Sequence, residues 1–230
     1  MLFTSAVAVT ALTAGALALS VPDPITIMKR THTVGTVITK CSKSGVLALA
    51  YDDGPYQYTS SLIDTLDAAG VKGTFFFTGT LYGCIYNQRA AVKKAYDNGH
   101  QVASHTWTHP HMGSMSAAAI QSEMEKVEQA MVNIFGRKPA VINDDIDAGD
   151  WNNQSPQQSE QKFQQAGAGG MGHIPLMHET YQSTVTTLTN WLINWAKTNN
   201  LKIVTVAECL DDADGMYKPG NFTGNGANSC

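Results

Sequence analysis

The sequence predicts an α/β protein in which helices cover a parallel sheet. From Val46 onward, short apolar runs bounded by turn residues alternate with longer segments whose apolar residues recur every three or four positions. This alternation is typical of parallel strands joined by helices, either as an open sheet or as a closed barrel. The chain has 230 residues, 43% of them hydrophobic, which is enough for one globular core.

The strand that organises the fold is expected first. Residues 46–51 form an apolar run that ends in Asp52-Asp53-Gly54-Pro55, two carboxylates followed by a turn signal. Sites of parallel α/β proteins assemble at the carboxyl ends of their strands. Two adjacent carboxylates would repel each other there unless they have different roles: a cation can neutralise one while the other carries a proton. The alternative is an Asx-type turn without chemistry.

The remaining elements follow the same two patterns. Further strands are predicted at 73–78, 101–104, 141–146, 173–177 and 201–206. Helices are predicted at 58–69, 87–98, 116–135, 153–166 and 182–198. Gly70 and Gly99 directly follow the first two helices, as C-terminal caps do. Residues 167–172 are predicted as a glycine-rich loop and 212–230 as an irregular tail without periodicity.

The charge of the chain argues against two classes of partner. The net charge is −4, and no basic face is available to neutralise phosphates, so no nucleic-acid partner is expected. No run of basic residues suggests binding to a membrane surface.

The N-terminus predicts secretion. Residues 1–19 carry no charged side chain, and Ala16-Leu17-Ala18 fits a signal peptidase site, so we expect a signal peptide at 1–20. A membrane anchor is the alternative, but the run is short for a spanning helix. Residues 21–35, which include Lys29-Arg30, are expected to be a pro-segment or a linker, and the globular domain to span 36–211. We expect a monomer located outside the cell or in the cell wall, without a stable membrane span.

Secretion makes the four cysteines candidates for disulfides. Cys41 precedes the first predicted strand and Cys209 follows the last, so a bridge between them would tie the two ends of the domain together. The partners of Cys84 and Cys230 stay open at this point. Two sequons begin at Asn153 and Asn221, and Pro156 is expected to disfavour the first of them.

Histidines end two of the later strands. His105 and His109 lie four residues apart in the stretch SHTWTHP, and two imidazoles plus one carboxylate are a sound ligand set for a catalytic zinc or similar divalent ion. The alternative is a histidine pair that hydrogen-bonds the backbone; His111 is interpreted as a bystander. His178 closes the strand at 173–177 and would reach the same edge of the sheet, although a buried core histidine is the alternative.

The motifs YDDGP, SHTWTHP and the strand-ending HE resemble successive motifs of the polysaccharide deacetylase (NodB-homology) family of carbohydrate esterases. The stretches GVKGTFFFTG and NGHQVASHTWTHP look most like fungal chitin deacetylases, and the resemblance covers residues 36–211. It implies that Asp53, His105 and His109 hold a divalent metal ion, most simply zinc, with cobalt as an alternative. It implies Asp52 as the general base and His178 as the general acid that protonates the departing amine.

The resemblance also implies residues that bind substrate. The backbone N–H near Tyr56 would help to stabilise the oxyanion of the tetrahedral intermediate. In VINDDIDAGDW, the residues Asp147, Asp150 and Trp151 look like the family's fourth motif. Tyr56, Trp107 and Trp151 could stack on sugar rings, although each is also a plausible core residue.

One departure from the family pattern affects the expected fold and activity. The family has an Arg-Pro-Pro-Tyr-like motif after the long helix, whereas here Arg137 and Pro139 are separated by a lysine and no tyrosine follows. We therefore expect a distorted (β/α) barrel that is incomplete by about one strand–helix unit, with unpaired strand edges. The lost arginine would orient the base, so Asp52 is expected to have a raised pKa and the enzyme to be weakened or inactive.

The leading hypothesis is thus a secreted metal-dependent hydrolase that removes N-acetyl groups from chitin or chitooligosaccharides. Deacetylation of peptidoglycan or acetylxylan is an alternative within the family. A non-catalytic carbohydrate-binding or cell-wall protein on the same fold is the alternative from another class.

Overall fold

The structure is a computed structural model, and it describes residues 38–139, 146–212 and 215–230. The predicted signal peptide at 1–20 and the predicted pro-segment at 21–35 lie outside the described residues. So does most of the predicted strand at 141–146, of which only Ile146 is described.

Strands and helices alternate along the described chain, as the sequence predicts. The strands are β1 (Val46–Leu47), β2 (Ala50–Asp52), β3 (Thr74–Phe77), β4 (Gln101–Ser104), β5 (Ile146–Asp147), β6 (Pro175–His178) and β7 (Lys202–Ile203). The α-helices are α1 (Thr59–Ala68), α2 (Arg89–Asp97), α3 (Ala117–Phe135), α4 (Pro156–Ala166), α5 (Thr189–Thr198) and α6 (Val206–Cys209). A π-helical turn, Thr184–Leu188, leads into α5.

The strands are parallel, which confirms the predicted α/β class. Five of them form a sheet in the order β4-β3-β2-β6-β5, and β1 pairs separately with β7. The predicted first strand is observed as two halves, β1 and β2. Both halves align with β6 and the residues before it in the same register, since Leu47 lies opposite His173 and Ala50 lies opposite Leu176. The strands at the two edges of the five-stranded sheet, β4 and β5, do not pair with each other, so the described strands do not form a closed barrel.

Both faces of the strands are buried in the core. For this reason the strand sequences are continuous apolar runs and do not alternate with polar residues. Leu47, Leu49 and Tyr51 belong to a large cluster formed with the helices, and Phe75 and Phe77 join it from β3. The alternate positions enter a second, smaller cluster, whose strand members include Val46, Ala48, Ala50, Phe76 and Ala103. This period of two fixes which residues of each strand face the helices.

A tyrosine from the C-terminal segment covers part of the open edge of β4. Tyr217 accepts a hydrogen bond at its hydroxyl from the backbone N–H of Val102 (3.1 Å) and donates to the carbonyl of His100 (3.3 Å). Its ring packs against those of Tyr96 and Phe135, with centroids 5.3 and 5.9 Å away. The segment 215–230, which the sequence predicts as an irregular tail, is therefore packed against the domain.

The predicted end of the last strand is wrong. Residues 201–206 were expected to be extended, but β7 stops at Ile203 and α6 begins at Val206. The cause is Thr205, whose hydroxyl accepts a hydrogen bond from the backbone N–H of Glu208 and so caps the new helix.

Both pairs of cysteines are bridged. The predicted Cys41–Cys209 disulfide is present, and both of its residues are buried in the smaller cluster. The sequence left open the pairing of Cys84 and Cys230, which join to each other. In the described part of the chain, no helix combines the length and apolar character needed to cross a membrane.

Candidate active site

The two aspartates of the first motif lie at the carboxyl end of β2 but in different backbone conformations. Asp52 is the last residue of the strand, and Asp53 takes a left-handed conformation with a φ of 70°. The turn then passes so close to Glu179 that a Cβ atom on Gly54 would overlap its carboxyl group. Glycine at 54 is thus needed for the approach of these two chain segments.

The histidine motif forms a tight loop directly after β4. Thr106 and His109 both have left-handed backbones, with φ values of 69° and 56°. The hydroxyl of Thr106 accepts a hydrogen bond from the backbone N–H of His109 (3.1 Å), which closes the loop. As a result the Nε2 atoms of His105 and His109 face each other at 3.2 Å.

Three side chains that the sequence assigns to a metal converge at this edge of the sheet. Oδ1 of Asp53 lies 3.4 Å from Nε2 of His109 and 3.6 Å from Nε2 of His105. Ligand atoms about 2.1 Å from a tetrahedral zinc ion are roughly 3.4 Å apart, so these spacings match a shared ion. Oδ1 of Asp53 is also buried and has no hydrogen-bond partner among the described residues. The donor set therefore fits a divalent cation.

Asp52 lies beside this cluster and opposite His178. The two residues are register partners on the neighbouring strands β2 and β6. Oδ2 of Asp52 lies 3.6 Å from Nε2 of His105, and the carboxylate is largely buried. The structure thus brings together all five residues that the sequence assigns to metal binding and catalysis.

His178 is held by a carboxylate that sequence analysis had named only as part of a motif. Its Nδ1 lies 2.8 Å from Oδ1 of Asp150, while its backbone N–H donates to Oδ2 of Asp150 (2.7 Å). Thr184 also donates to this Oδ2 (2.7 Å). Nε2 of His178 is left facing the metal cluster, 3.9 Å from Oδ2 of Asp53.

The charges of the site set the protonation preferences of its histidines. Burial favours the neutral ring of His178, but its hydrogen bond to Asp150 and the negative charges of Asp150, Asp53 and Asp52 outweigh this effect and raise its pKa. Burial lowers the pKa of His105 to about 4, and the neighbouring His109 and His178 act in the same direction. A neutral His105 is the form that binds a metal ion.

Burial also raises the pKa of Asp53, against the opposing effect of His178 and His109. A divalent ion would offset the cost of keeping this carboxylate charged.

A fourth carboxyl group lies beneath the site, and the sequence analysis missed it. Glu179 is fully buried and accepts a hydrogen bond from the hydroxyl of Thr59. Burial raises its pKa to about 8; the bond from Thr59 opposes this shift, and the charges of Asp52 and Asp53 add to it. Its only signal in the sequence is its place directly after His178, which does not reveal its contacts.

The predicted substrate-binding residues lie in different environments. The backbone N–H of Tyr56 donates to Thr59 Oγ1 (2.8 Å), and its ring lies 5.2 Å from that of Tyr82. Trp107 is partly buried against the core. Trp151 is 52% exposed, and its indole Nε1 is held by the carboxylate of Asp147 at 3.1 and 3.3 Å.

The arginines within the described ranges, Arg89 and Arg137, each donate a hydrogen bond to a backbone carbonyl. Arg89 donates to the carbonyl of Asn133 (3.2 Å), and Arg137 donates to the carbonyl of Gly220 (3.3 Å). The two predicted glycosylation residues, Asn153 and Asn221, are exposed.

The comparisons with known proteins agree with this geometry. Residues 39–164 match the family described as Polysaccharide deacetylase. A chitin deacetylase of Pestalotiopsis sp. is 36% identical over 236 aligned positions, which cover 91% of this chain and 78% of that protein. A chitin deacetylase of Colletotrichum lindemuthianum is 32% identical, with 83% of this chain and 90% of that protein covered. The solved structure of the chitin deacetylase from that fungal pathogen matches with a TM-score of 0.77 and 31% identity, over 83% of this chain and 99% of the other.

The fold and the motifs are those of a family of carbohydrate-directed hydrolases. The chain belongs to the polysaccharide deacetylase family, as the resemblance of its motifs predicts. The alignment with the Pestalotiopsis protein is longer than the 230 residues of this chain, so that relative carries residues within the matched region that this chain lacks.

Proposed function

We propose that this protein is a secreted, metal-dependent hydrolase that removes N-acetyl groups from chitin or chitooligosaccharides. The observation that carries the proposal is the convergence of Asp53, His105 and His109 next to Asp52 and His178. The chitin deacetylases among its relatives support the choice of polymer.

Asp53, His105 and His109 would hold the ion, for which we propose zinc, with cobalt as a functional substitute. The ion would lower the pKa of a water molecule and polarise the acetamide carbonyl. The chain's own residues supply the other parts of the reaction.

Asp52 is the proposed general base and takes a proton from the attacking water. His178 is the proposed general acid and donates the proton at its Nε2 to the amide nitrogen as the C–N bond breaks, so that the products are acetate and a free amine. Asp150 keeps the ring of His178 in the tautomer and orientation that this step needs.

The backbone N–H of Tyr56 is the proposed donor to the oxyanion. In the structure this N–H is bonded to Thr59, so the proposal requires that it exchange that bond for the substrate oxygen. The exposed indole of Trp151, fixed by Asp147, is the proposed platform for a sugar ring, and Tyr56 and Trp107 are the other proposed aromatic contacts of the substrate.

A second candidate function is carbohydrate binding without efficient turnover. It is supported by the departure from the family pattern after the long helix, where a lysine separates Arg137 from Pro139 and no tyrosine follows.

The two candidates differ in acetate release. The purified chain is loaded with zinc, its metal content is measured, and acetate is assayed on chitooligosaccharides, peptidoglycan and acetylxylan. Release from chitooligosaccharides that is abolished by Asp52→Asn, and kept by the exposed Asp97→Asn, supports deacetylation. Stoichiometric zinc and sugar binding without acetate supports the second candidate, and a chain that binds no divalent ion contradicts both the metal site and its role.

The missing segment has its own test. A family-type strand–helix segment with an arginine is inserted after Arg137, and acetate release is compared with that of the natural chain. Higher release from the longer chain supports a weakened natural enzyme, whereas equal release contradicts it.

We also propose secretion, a monomeric state and glycosylation at Asn221 or Asn153. Two disulfides are stable in an oxidising compartment, which supports secretion. N-terminal sequencing of the protein from culture medium tests cleavage near residue 20. The measured mass before and after glycosidase treatment tests the other two points.

A further inference from the structure

A buried acidic side chain from α3 reaches the loop that carries both histidines. Glu123 is 8% exposed. Its Oε2 accepts two hydrogen bonds from Thr108, one from the backbone N–H (2.7 Å) and one from the hydroxyl (3.1 Å). Both bonds go to the same residue of the loop. Bonds of this kind, with an ionised acceptor, are stronger than neutral ones.

The loop needs contacts of this kind because its backbone is unfavourable. Thr106 and His109 are both left-handed, a conformation that residues other than glycine rarely adopt. The hydroxyl of Thr106 satisfies the N–H of His109 from within the loop. The carbonyl of Trp107 is held from the other side by the backbone N–H groups of Gly79 and Thr80, both at 2.9 Å.

Glu123 therefore supplies the remaining anchor. The Gly79 and Thr80 contacts fix the carbonyl of the Trp107–Thr108 peptide group, and Glu123 fixes the N–H of the same group. With both ends of this peptide held, the positions of His105 on one side and His109 on the other are set relative to each other. The Nε2 atoms of these two histidines lie 3.2 Å apart.

We propose that Glu123 is a positioning residue for the metal site: it orients the peptide group between the two histidines and so sets the affinity for the ion. The proposal rests on the proposed metal-binding role of Asp53, His105 and His109. It predicts that a residue on α3, which offers no ligand atom to the site, controls how tightly zinc binds.

The test uses three variants of the full chain. Glu123→Ala removes both hydrogen bonds, and Glu123→Gln keeps an uncharged acceptor for the N–H of Thr108. Glu125→Ala is the matched control, because Glu125 lies on the same helix, is exposed and accepts a hydrogen bond from Gln121 (2.6 Å). Zinc affinity is measured by competition with a chromogenic chelator, and the visible absorption of the cobalt-loaded protein reports the coordination geometry.

We expect Glu123→Ala to weaken zinc binding about tenfold or more and to alter the cobalt spectrum, as the loss of an outer contact does in metal sites. Glu123→Gln should lose less, and Glu125→Ala should match the natural chain. Thermal unfolding of the metal-free proteins separates a local effect from global unfolding. Should Glu123→Ala fail to fold, Glu123→Gln takes its place as the deciding variant.

The outcomes separate this inference from the function on which it rests. If the natural chain binds zinc and both Glu123 variants bind it equally tightly with unchanged cobalt spectra, the positioning role is overturned and the metal site stands. If the natural chain binds no divalent ion, the proposed function itself fails, and this inference fails with it.

Discussion

The imidazole of His178 and the carboxylate of Asp150 form a buried pair in which Nδ1 and Oδ1 lie 2.8 Å apart. The same carboxylate accepts hydrogen bonds from the backbone N–H of His178 and the hydroxyl of Thr184, and these bonds hold it in its orientation toward the ring. With Nδ1 committed to Asp150, Nε2 is the nitrogen that can exchange a proton with a substrate. This arrangement supports the proposed role of His178 as general acid.

Asp150→Asn should lower turnover by about 10²-fold, the range expected when a positioned general acid is lost. Asp150 raises the pKa of His178, so its removal lowers that pKa, and the ring loses its proton at a lower pH. The basic limb of the kcat profile should therefore move to lower pH. The profile is measured by acetate release across a pH series.

The exposed Asp97→Asn is the control for this experiment, because Asp97 pairs with Lys93 on the solvent-exposed side of α2. It should leave both the rate and the profile unchanged. An Asp150→Asn enzyme with an unshifted basic limb would show that another group donates the proton.

The histidine loop offers a sharp comparison between two neighbouring residues. Nε2 of His109 lies 3.4 Å from Oδ1 of Asp53, whereas His111 is exposed and lies outside the cluster of ligand atoms. His109→Ala should reduce zinc affinity at least tenfold, and His111→Ala should not change it. Titration calorimetry of the two variants checks this, and equal losses in both would contradict the assigned ligand set.

Much of the site could be predicted because its residues lie at strand ends. Apolar runs that stop at Asp52, Ser104 and Met177 predict the carboxyl edge of a parallel sheet, and the residues that follow them meet there. The sequence does not contain the tertiary contacts that hold these residues. The pairing of Glu123 with Thr108 depends on how α3 lies against the loop.

The missed features of the fold have similar causes. Tyr217 lies in a segment without periodicity, so no pattern indicates that its hydroxyl covers the edge of β4. The predicted last strand extended to Val206, the first residue of the short helix α6, because Val204 and Val206 continue the apolar run of β7. The hydroxyl of Thr205 caps α6 and marks where the helix begins.

Glu179 should make the metal-free protein less stable as the pH rises. Its pKa is raised to about 8 in the folded protein, so between about pH 4.5 and pH 8 the folded state binds more protons than the unfolded state. The contribution of Glu179 to the free energy of unfolding is therefore fully present below about pH 4.5. It decreases between about pH 4.5 and pH 8, by up to about 1.4 kcal/mol per pH unit. Glu179→Gln lacks the titration and should gain stability over the natural chain as pH rises.

The experiment is denaturant unfolding of both proteins in the presence of a chelator, at several pH values from 4 to 9. Exposed Glu125→Gln serves as the control and should follow the natural chain. A constant difference between Glu179→Gln and the natural chain across this range would show that Glu179 does not titrate there.

The two disulfides should contribute unequally to stability. They close loops of similar length, with sequence separations of 168 and 146 residues, so loop entropy alone assigns roughly 5 kcal/mol to each. Cys41 and Cys209 are both buried in the smaller core cluster, whereas Cys230 is exposed. Replacing the first pair with alanine also removes packed sulfur atoms, so it should cost more than replacing Cys84 and Cys230. Denaturant unfolding of the two double variants measures both costs, and an equal loss would show that packing around the buried bridge adds nothing.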